Sequence, residues 1–173
     1  MLSFTQLTLR RGSRVLIQDA TLAIHPGQRV GLVGRNGTGK SSLFALMQNE
    51  IAPDLGDFTR PRNWAVATVA QETPALPIQA LEYALDGDFE LREVEAALAK
   101  AEQSHDGDKI GSLHERLYQI DGYTARARAA TLLDGLGFTQ AMQAQTVAEF
   151  SGGWRMRLNL ARTLMCRSDL LLL

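Results

Sequence analysis

The stretch Gly31–Leu46, GLVGRNGTGKSSLFAL, decides the fold. The run Arg29–Val33 before its loop is almost wholly apolar, the pattern of a strand covered on both faces. After the loop, Leu43, Phe44 and Met47 recur at helical spacing, which predicts a helix from Ser41 to Gln48. Between strand and helix, Gly34, Gly39, Lys40 and Ser41 fit the G-x-x-x-x-G-K-[ST] pattern of a phosphate-binding loop. Glycines let the backbone wrap closely and aim N–H groups inward. The helix start adds free N–H groups and a positive dipole end. Lys40 can reach β and γ phosphates, the Ser41 hydroxyl can hold Mg²⁺, and Ser42 adds a phosphate contact one residue on. The nucleotide-binding set is therefore Gly34, Asn36, Gly37, Thr38, Gly39, Lys40, Ser41 and Ser42. Arg35 and Asn36 sit at variable positions of the loop, where ligand contact is not required. A Rossmann dinucleotide site fits less well, because its glycine spacing differs and it has no use for Lys-Ser. The loop does not choose between adenine and guanine, although no N-K-x-D guanine reader follows it.

Working outward, the N-terminal residues 1–33 read as strands. Phe4, Leu7 and Leu9 stand among polar residues, and RVLIQDATLAIHPGQRVGLV gives two β-rich runs around the turn HPGQ. NEIAPDLGDFTRPRN reads as a turn-rich return, and WAVATVAQ as a buried strand ending at Gln71. From about Ala80 the period changes. Leu91, Val94 and Leu98 stripe one helix, SHDGD breaks it, and Ile110, Leu113, Leu117 and Ile120 stripe a second, as in an antiparallel hairpin. YTARARAATLLDGLGF gives a third helix capped near Gly135 or Gly137. DLLLL begins another apolar strand at the end of the chain.

The 173 residues, 45% apolar and 21% charged, suit one globular domain. A net charge of -1 gives no bulk attraction to nucleic acid or membrane. The single cysteine, Cys166, excludes an internal disulfide and a thiolate zinc cluster and fits a reducing compartment. The start MLSFTQLTLR lacks the features of a signal peptide, and no apolar run reaches the roughly 20 residues of a membrane span. A cytoplasmic location is the expectation.

A second motif lies far downstream. In FSGGWRMR, Phe150–Arg157, Ser151, Gly152 and Gly153 precede an apolar-periodic run through Trp154, Leu158, Ala161, Leu164 and Met165. Serine is a good N-cap, and the helix start is a further place to receive an anion. Together with the loop at 34–42, Gln71 and RSDLLLL, this motif makes the chain resemble an ATP-binding-cassette domain over essentially its whole length. The finer pattern, GLVGRNGTGKSSL, QETPALPIQALEYALDGD and FSGGWRMRLNLARTL, is similar to the first cassette of ABC-F proteins.

The resemblance implies an α/β P-loop fold with an N-terminal antiparallel β subdomain and an inserted helical subdomain, incomplete at its C-terminal end. Residues 1–79 would form the β subdomain and loop core, 80–122 an arm-like helical hairpin, 123–165 the helical subdomain with the signature helix, and 166–173 the start of the next core strand. It implies that Ser151, Gly152 and Gly153 meet the γ-phosphate held by an opposing cassette, and that Gln71 contacts Mg²⁺ and the attacking water. Arg157 matches an arginine of the family, whereas Trp154 stands where a glutamine is usual and is expected to pack or to meet the partner cassette. Near Arg11 many relatives carry an aromatic that stacks on adenine; RRGSRV offers arginines instead.

The implied activity is ATP hydrolysis with Mg²⁺, closing and opening two cassettes of one chain on the ribosome, with the arm at Leu85–Ile120 toward rRNA, ribosomal protein or tRNA, and without DNA or a transmembrane domain. Arg60 and Arg62 are exposed candidates for RNA contact. Two other readings stay open: the cytoplasmic ATPase subunit of an ABC transporter, and a nucleotide-dependent interaction module without significant catalysis. The aspartate and glutamate that would finish the catalytic site are expected beyond Leu173, so this stretch alone is expected to be inactive and marginally stable.

Overall fold

A computed structural model describes residues 1–70 and 74–173. Its strands form two sheets, one of order β2-β1-β3 and a two-stranded one of β4 with β5. Two compact units divide near residue 66.

In the first unit β1 (Leu2–Arg11) pairs antiparallel with β2 (Arg14–Ile24) and with β3 (Leu55–Thr59). Phe4 on one side of the count and Leu7 and Leu9 on the other cannot share a face of a regular strand, whose period is two. A bulge resolves this. The register shifts between Phe4 and Leu7, Gln6 takes φ 48°, and Leu2, Phe4, Leu7 and Leu9 all become buried. Phe58 on β3 stacks on Phe4 with ring centroids 5.3 Å apart. At the bulge Gly56 adopts φ +75°, and a Cβ there would overlap the carbonyl oxygens of Gln6 and Thr5. Gly56→Ala is therefore expected to cost about 2–3 kcal/mol, from left-handed strain and backbone displacement together, read as a lower urea midpoint.

Two expectations are corrected here. The turn-rich segment 49–63 contains the strand β3, and the apolar run Arg29–Val33 is not a strand. Val30, Leu32 and Val33 are 58%, 41% and 92% exposed. A strand needs a ladder partner, and the described residues supply none for this run; apolar content alone does not make a strand. The turn at HPGQ is present, so only the run after it differs. Arg60 is also not a free surface cation. It is half-buried and donates to the carbonyls of Met47 and Trp64 at 3.1 Å each, while Arg62 is exposed.

The second unit is mostly helical. Of the expected strand WAVATVAQ, the described residues 64–70 hold a short β4 (Val66–Thr68), and β5 (Leu170–Leu172) forms in the terminal apolar run. Its helices are α2 (Ala80–Leu85), α3 (Phe89–Gln103), α4 (Gly107–Gln119), α5 (Ala125–Gly135), α6 (Gln140–Gln143) and α7 (Gly152–Met165). Helices α3 and α4 make the expected hairpin around Ser104–Asp106. Asp88 and Asp106 cap their N-termini, accepting from the N–H of Leu91 and Lys109. The last residue of α5 is Gly135, and Gly137, two positions on, is the glycine that closes its end. Gly137 has φ +93°, and the N–H groups of Phe138 and Gly137 donate to the carbonyls of Leu133 and Asp134, a Schellman closure.

The core joins Tyr83 and Leu85 of α2, Ala129 and Leu133 of α5, and Leu158, Ala161 and Met165 of α7. A polar line crosses it. The buried Tyr83 hydroxyl meets Asn159 Oδ1, Asn159 Nδ2 donates to the Ala70 carbonyl at 3.0 Å, and Thr163 Oγ1 donates to the Thr68 carbonyl at 3.3 Å. The signature-bearing helix thereby holds the segment that leads toward residue 71. At the base of the hairpin, Arg92 binds Glu82, Asp86 and Glu95. The hydrogen bond from Arg92 holds the Glu82 carboxyl below the usual carboxylate range.

Candidate functional site

The loop expected to hold phosphate leads into α1 (Lys40–Met47). Its N-cap, Gly39, has φ +105°, and a Cβ there would lie 2.9 Å from Leu16 Cβ. At Gly34 a Cβ would lie 2.7 Å from Thr38 Oγ1, which itself donates to the Arg35 carbonyl at 2.8 Å. Glycine is thus required at both ends of the turn for space, and at Gly39 for backbone sign as well. Lys40 Nζ donates to the carbonyls of Gly34 (2.5 Å) and Arg35 (3.1 Å), which centres the ammonium under the loop and leaves its third donor available.

The first bond along α1 runs from the Leu43 N–H to the Gly39 carbonyl, so the N–H groups of residues 39–42 have no partner within the helix. No acidic residue stands in its first turn. The helix start, Lys40 and the hydroxyls of Ser41 and Ser42 all face a cavity of about 450 Å³, which Asn36, Gly37 and Gly39 also line. Arg11, Arg14 and Leu16 complete its lining. Every charged side chain of this lining is cationic. The donor set suits a polyphosphate. For Mg²⁺ the described lining of this cavity offers the Ser41 hydroxyl, and the described residues contain no cluster of three or more His, Cys, Asp or Glu that could hold a metal. That suits an ion arriving with phosphate and keeping most of its water. Gln71, the other expected ligand, lies outside the described residues.

Sequence reasoning raised the arginines of RRGSRV, Arg14 among them, but missed Leu16. A two-residue turn at Gly12–Ser13 makes Arg14 the cross-strand partner of Arg11, and Leu16 falls at the register shift between Val15 and Ile17, which the sequence pattern does not mark.

The second motif belongs to the other unit. Ser151 is the N-cap of α7, with extended backbone and no side-chain bond to the helix N–H groups. Ser151, Gly152 and Gly153 are exposed, and a Cβ on either glycine would meet nothing within 4 Å. Among the described residues, then, no neighbour demands glycine there. The approach to this helix is fixed by Glu149, which accepts from the Thr146 N–H at 2.7 Å and from its hydroxyl at 2.8 Å. These bonds, the backbone one foremost, hold the Glu149 carboxyl below its ordinary range. Trp154 packs edge-on to Phe138 at 4.9 Å, and the Arg157 guanidinium lies over the indole at 4.7 Å. Trp154 and Arg157 therefore brace the signature helix against the end of α5.

Comparison with known proteins agrees with this architecture. The family model described as ABC transporter matches residues 17–173. The probable ATP-binding protein YheS of Escherichia coli K12 is 56% identical over all 173 residues, which cover 27% of its own length. The protein of the same name from Haemophilus influenzae is 50% identical over the same span. Human ATP-binding cassette sub-family F member 3 is 39% identical over 94% of the chain and 23% of its own length. The chain thus spans about a quarter of the length of these relatives. In fold it is similar to the ATP binding subunit of an ABC transporter, with a TM-score of 0.60 at 16% identity over 95% of this chain and 62% of that one. No helix among the described residues is long and apolar enough to cross a membrane. The chain belongs to the ABC transporter-type family of P-loop ATPases and is closely related to YheS and the sub-family F proteins.

Proposed function

We propose that this chain is one nucleotide-binding cassette of a larger ATPase. The observation that carries this is the cationic cavity in which Lys40, Ser41, Ser42 and the start of α1 converge. Gly34, Asn36, Gly37, Thr38 and Gly39 shape a backbone cradle for the triphosphate, and Lys40 pairs with its outer phosphates. Ser41, with Gln71, would hold Mg²⁺, which neutralises phosphate charge. Ser151, Gly152 and Gly153 are offered to a second cassette, whose bound γ-phosphate meets the uncovered start of α7. The free N-cap hydroxyl and the two glycines with open space around them support that reading. The relatives' much greater length leaves room for a second cassette in the same protein. ATP closes the pair by electrostatic bridging, and hydrolysis releases it.

The family model and the solved relatives are of transporter type, so the broader support is for a generic ABC ATPase driving a partner. The ribosome as that partner rests on the identity to YheS and to sub-family F members, and on a helical hairpin, α3–α4, that projects charged faces. Sedimentation of the full-length protein with ribosomes in ATP and in ADP tests it. ATP-dependent co-sedimentation is expected. Equal recovery in both nucleotides, or none, would remove the ribosome and leave the transporter-type reading.

A further inference from the structure

Three donors converge on one carbonyl inside the phosphate loop. The Arg35 oxygen accepts from the Thr38 hydroxyl at 2.8 Å, from Lys40 Nζ at 3.1 Å and from the Thr38 N–H at 3.3 Å. A carbonyl oxygen has two lone pairs, so the three must share it. The hydroxyl makes the shortest contact. Lys40 holds the Gly34 carbonyl more closely, at 2.5 Å, and Arg35 is its looser partner. The hydroxyl rests against Gly34, 2.7 Å from where a Cβ would stand, so the place it occupies exists only beside a glycine. Thr38 is exposed and lies outside the core, and the described lining of the cavity includes Lys40 but not Thr38.

We infer that Thr38 is a positioning residue for Lys40: its hydroxyl occupies the Arg35 carbonyl and so frees the ammonium for phosphate. This rests on the nucleotide reading above. A lysine that is a carbonyl's main donor must be taken from it before it can serve a ligand, and phosphate then competes with the loop for the same protons. With the hydroxyl in place, the carbonyl keeps two donors, Thr38 O–H and N–H, when Lys40 turns away. The turn from Arg35 to Thr38 stays closed by the same two bonds, so the loop does not slacken as the ammonium leaves it. The hydroxyl's one proton is already engaged on the carbonyl. Thr38 therefore acts on phosphate through Lys40 and not by touching it.

The test is calorimetric titration of the full-length protein, as Thr38→Ala and as Thr38→Ser, with the β,γ-imido analogue of ATP and with tripolyphosphate. Binding that Lys40→Ala removes belongs to this site. Thr38→Ala should weaken both ligands by about fivefold, the scale of one hydrogen bond. The two losses should match, because the effect runs through phosphate. Thr38→Ser keeps the hydroxyl and should bind each ligand within about twofold of the parent. Without nucleotide, both variants should melt within a degree or two of the parent, as an exposed position allows. Four results would each overturn the inference while sparing the nucleotide reading: Thr38→Ala within about twofold of the parent, Thr38→Ser as weak as Thr38→Ala, a loss confined to the ATP analogue, or a fall in midpoint that accompanies the loss. If Lys40→Ala removes no binding from the parent, the nucleotide reading itself fails.

Discussion

Replacing Lys40 by alanine is expected to lower ATP affinity at this site by at least about a hundredfold. Two charge-assisted contacts to phosphate, at roughly 1.5–3 kcal/mol each, set that scale. The geometry adds a second effect. Lys40 Nζ already bonds the carbonyls of Gly34 and Arg35, so it fixes the curvature of the loop as well as its charge. Lys40→Arg keeps the charge, but its longer planar fork cannot sit between the same two carbonyls, and it should recover only part of the loss. The side chain is half-buried and its two bonds go to exposed loop carbonyls, so the thermal midpoint without nucleotide should stay within a degree or two of the parent, by the usual scale for a surface change of about 0.5 kcal/mol or less. Titration with the β,γ-imido ATP analogue, beside a melting curve, checks both statements. A variant that melts like the parent and binds the analogue as tightly would show that phosphate is held elsewhere.

Much of this site was legible because its signals are local. The glycines at 34 and 39, the lysine and the first turn of α1 are consecutive in sequence, and their spacing is their geometry. Helices α3, α4 and α7 were legible for the same reason, since a stripe such as Leu91, Val94 and Leu98 is a property of one segment. What escaped depends on partners. Arg29–Val33 has strand composition, yet without a ladder partner among the described residues its side chains stand in solvent. β3 was hidden in a segment rich in glycine, aspartate and proline, because it is made by pairing to the bulge in β1 and not by its own pattern. Leu16 entered the cavity at a register shift between β1 and β2. Asp88, in the run DGDFEL, could be foreseen as a helix cap, but not as the meeting point of two arginines 40 and 79 residues away.

Asp88 carries the second large effect. Its carboxylate is 1% exposed. Oδ1 accepts from the Leu91 N–H at 3.3 Å and caps α3; Oδ2 accepts from Arg128 of α5 at 2.8 Å and from Arg167, just beyond α7, at 3.2 Å. Arg167 also donates to the Ile120 carbonyl at the end of α4. One carboxylate therefore ties the start of the helical hairpin, its far end, α5 and the exit of the signature helix. Asp88→Ala removes the cap, worth about 1 kcal/mol, and the shared counter-charge of two cations. Breaking a fully buried pair costs about 3–5 kcal/mol, but both arginines are more than a third exposed and can turn toward water, so about 2 kcal/mol is the better scale here. The expected total is about 3 kcal/mol, with Asp88→Asn losing about half of that because an amide oxygen still caps the helix. Urea unfolding followed by tryptophan fluorescence measures it, Trp154 lying in the affected unit. Arg167→Ala in the Asp88→Ala background should then cost much less than in the parent, since its main partner is already gone. Additive losses would mean that Arg167 is held by the Ile120 carbonyl alone and that the carboxylate does not join the hairpin to the signature helix.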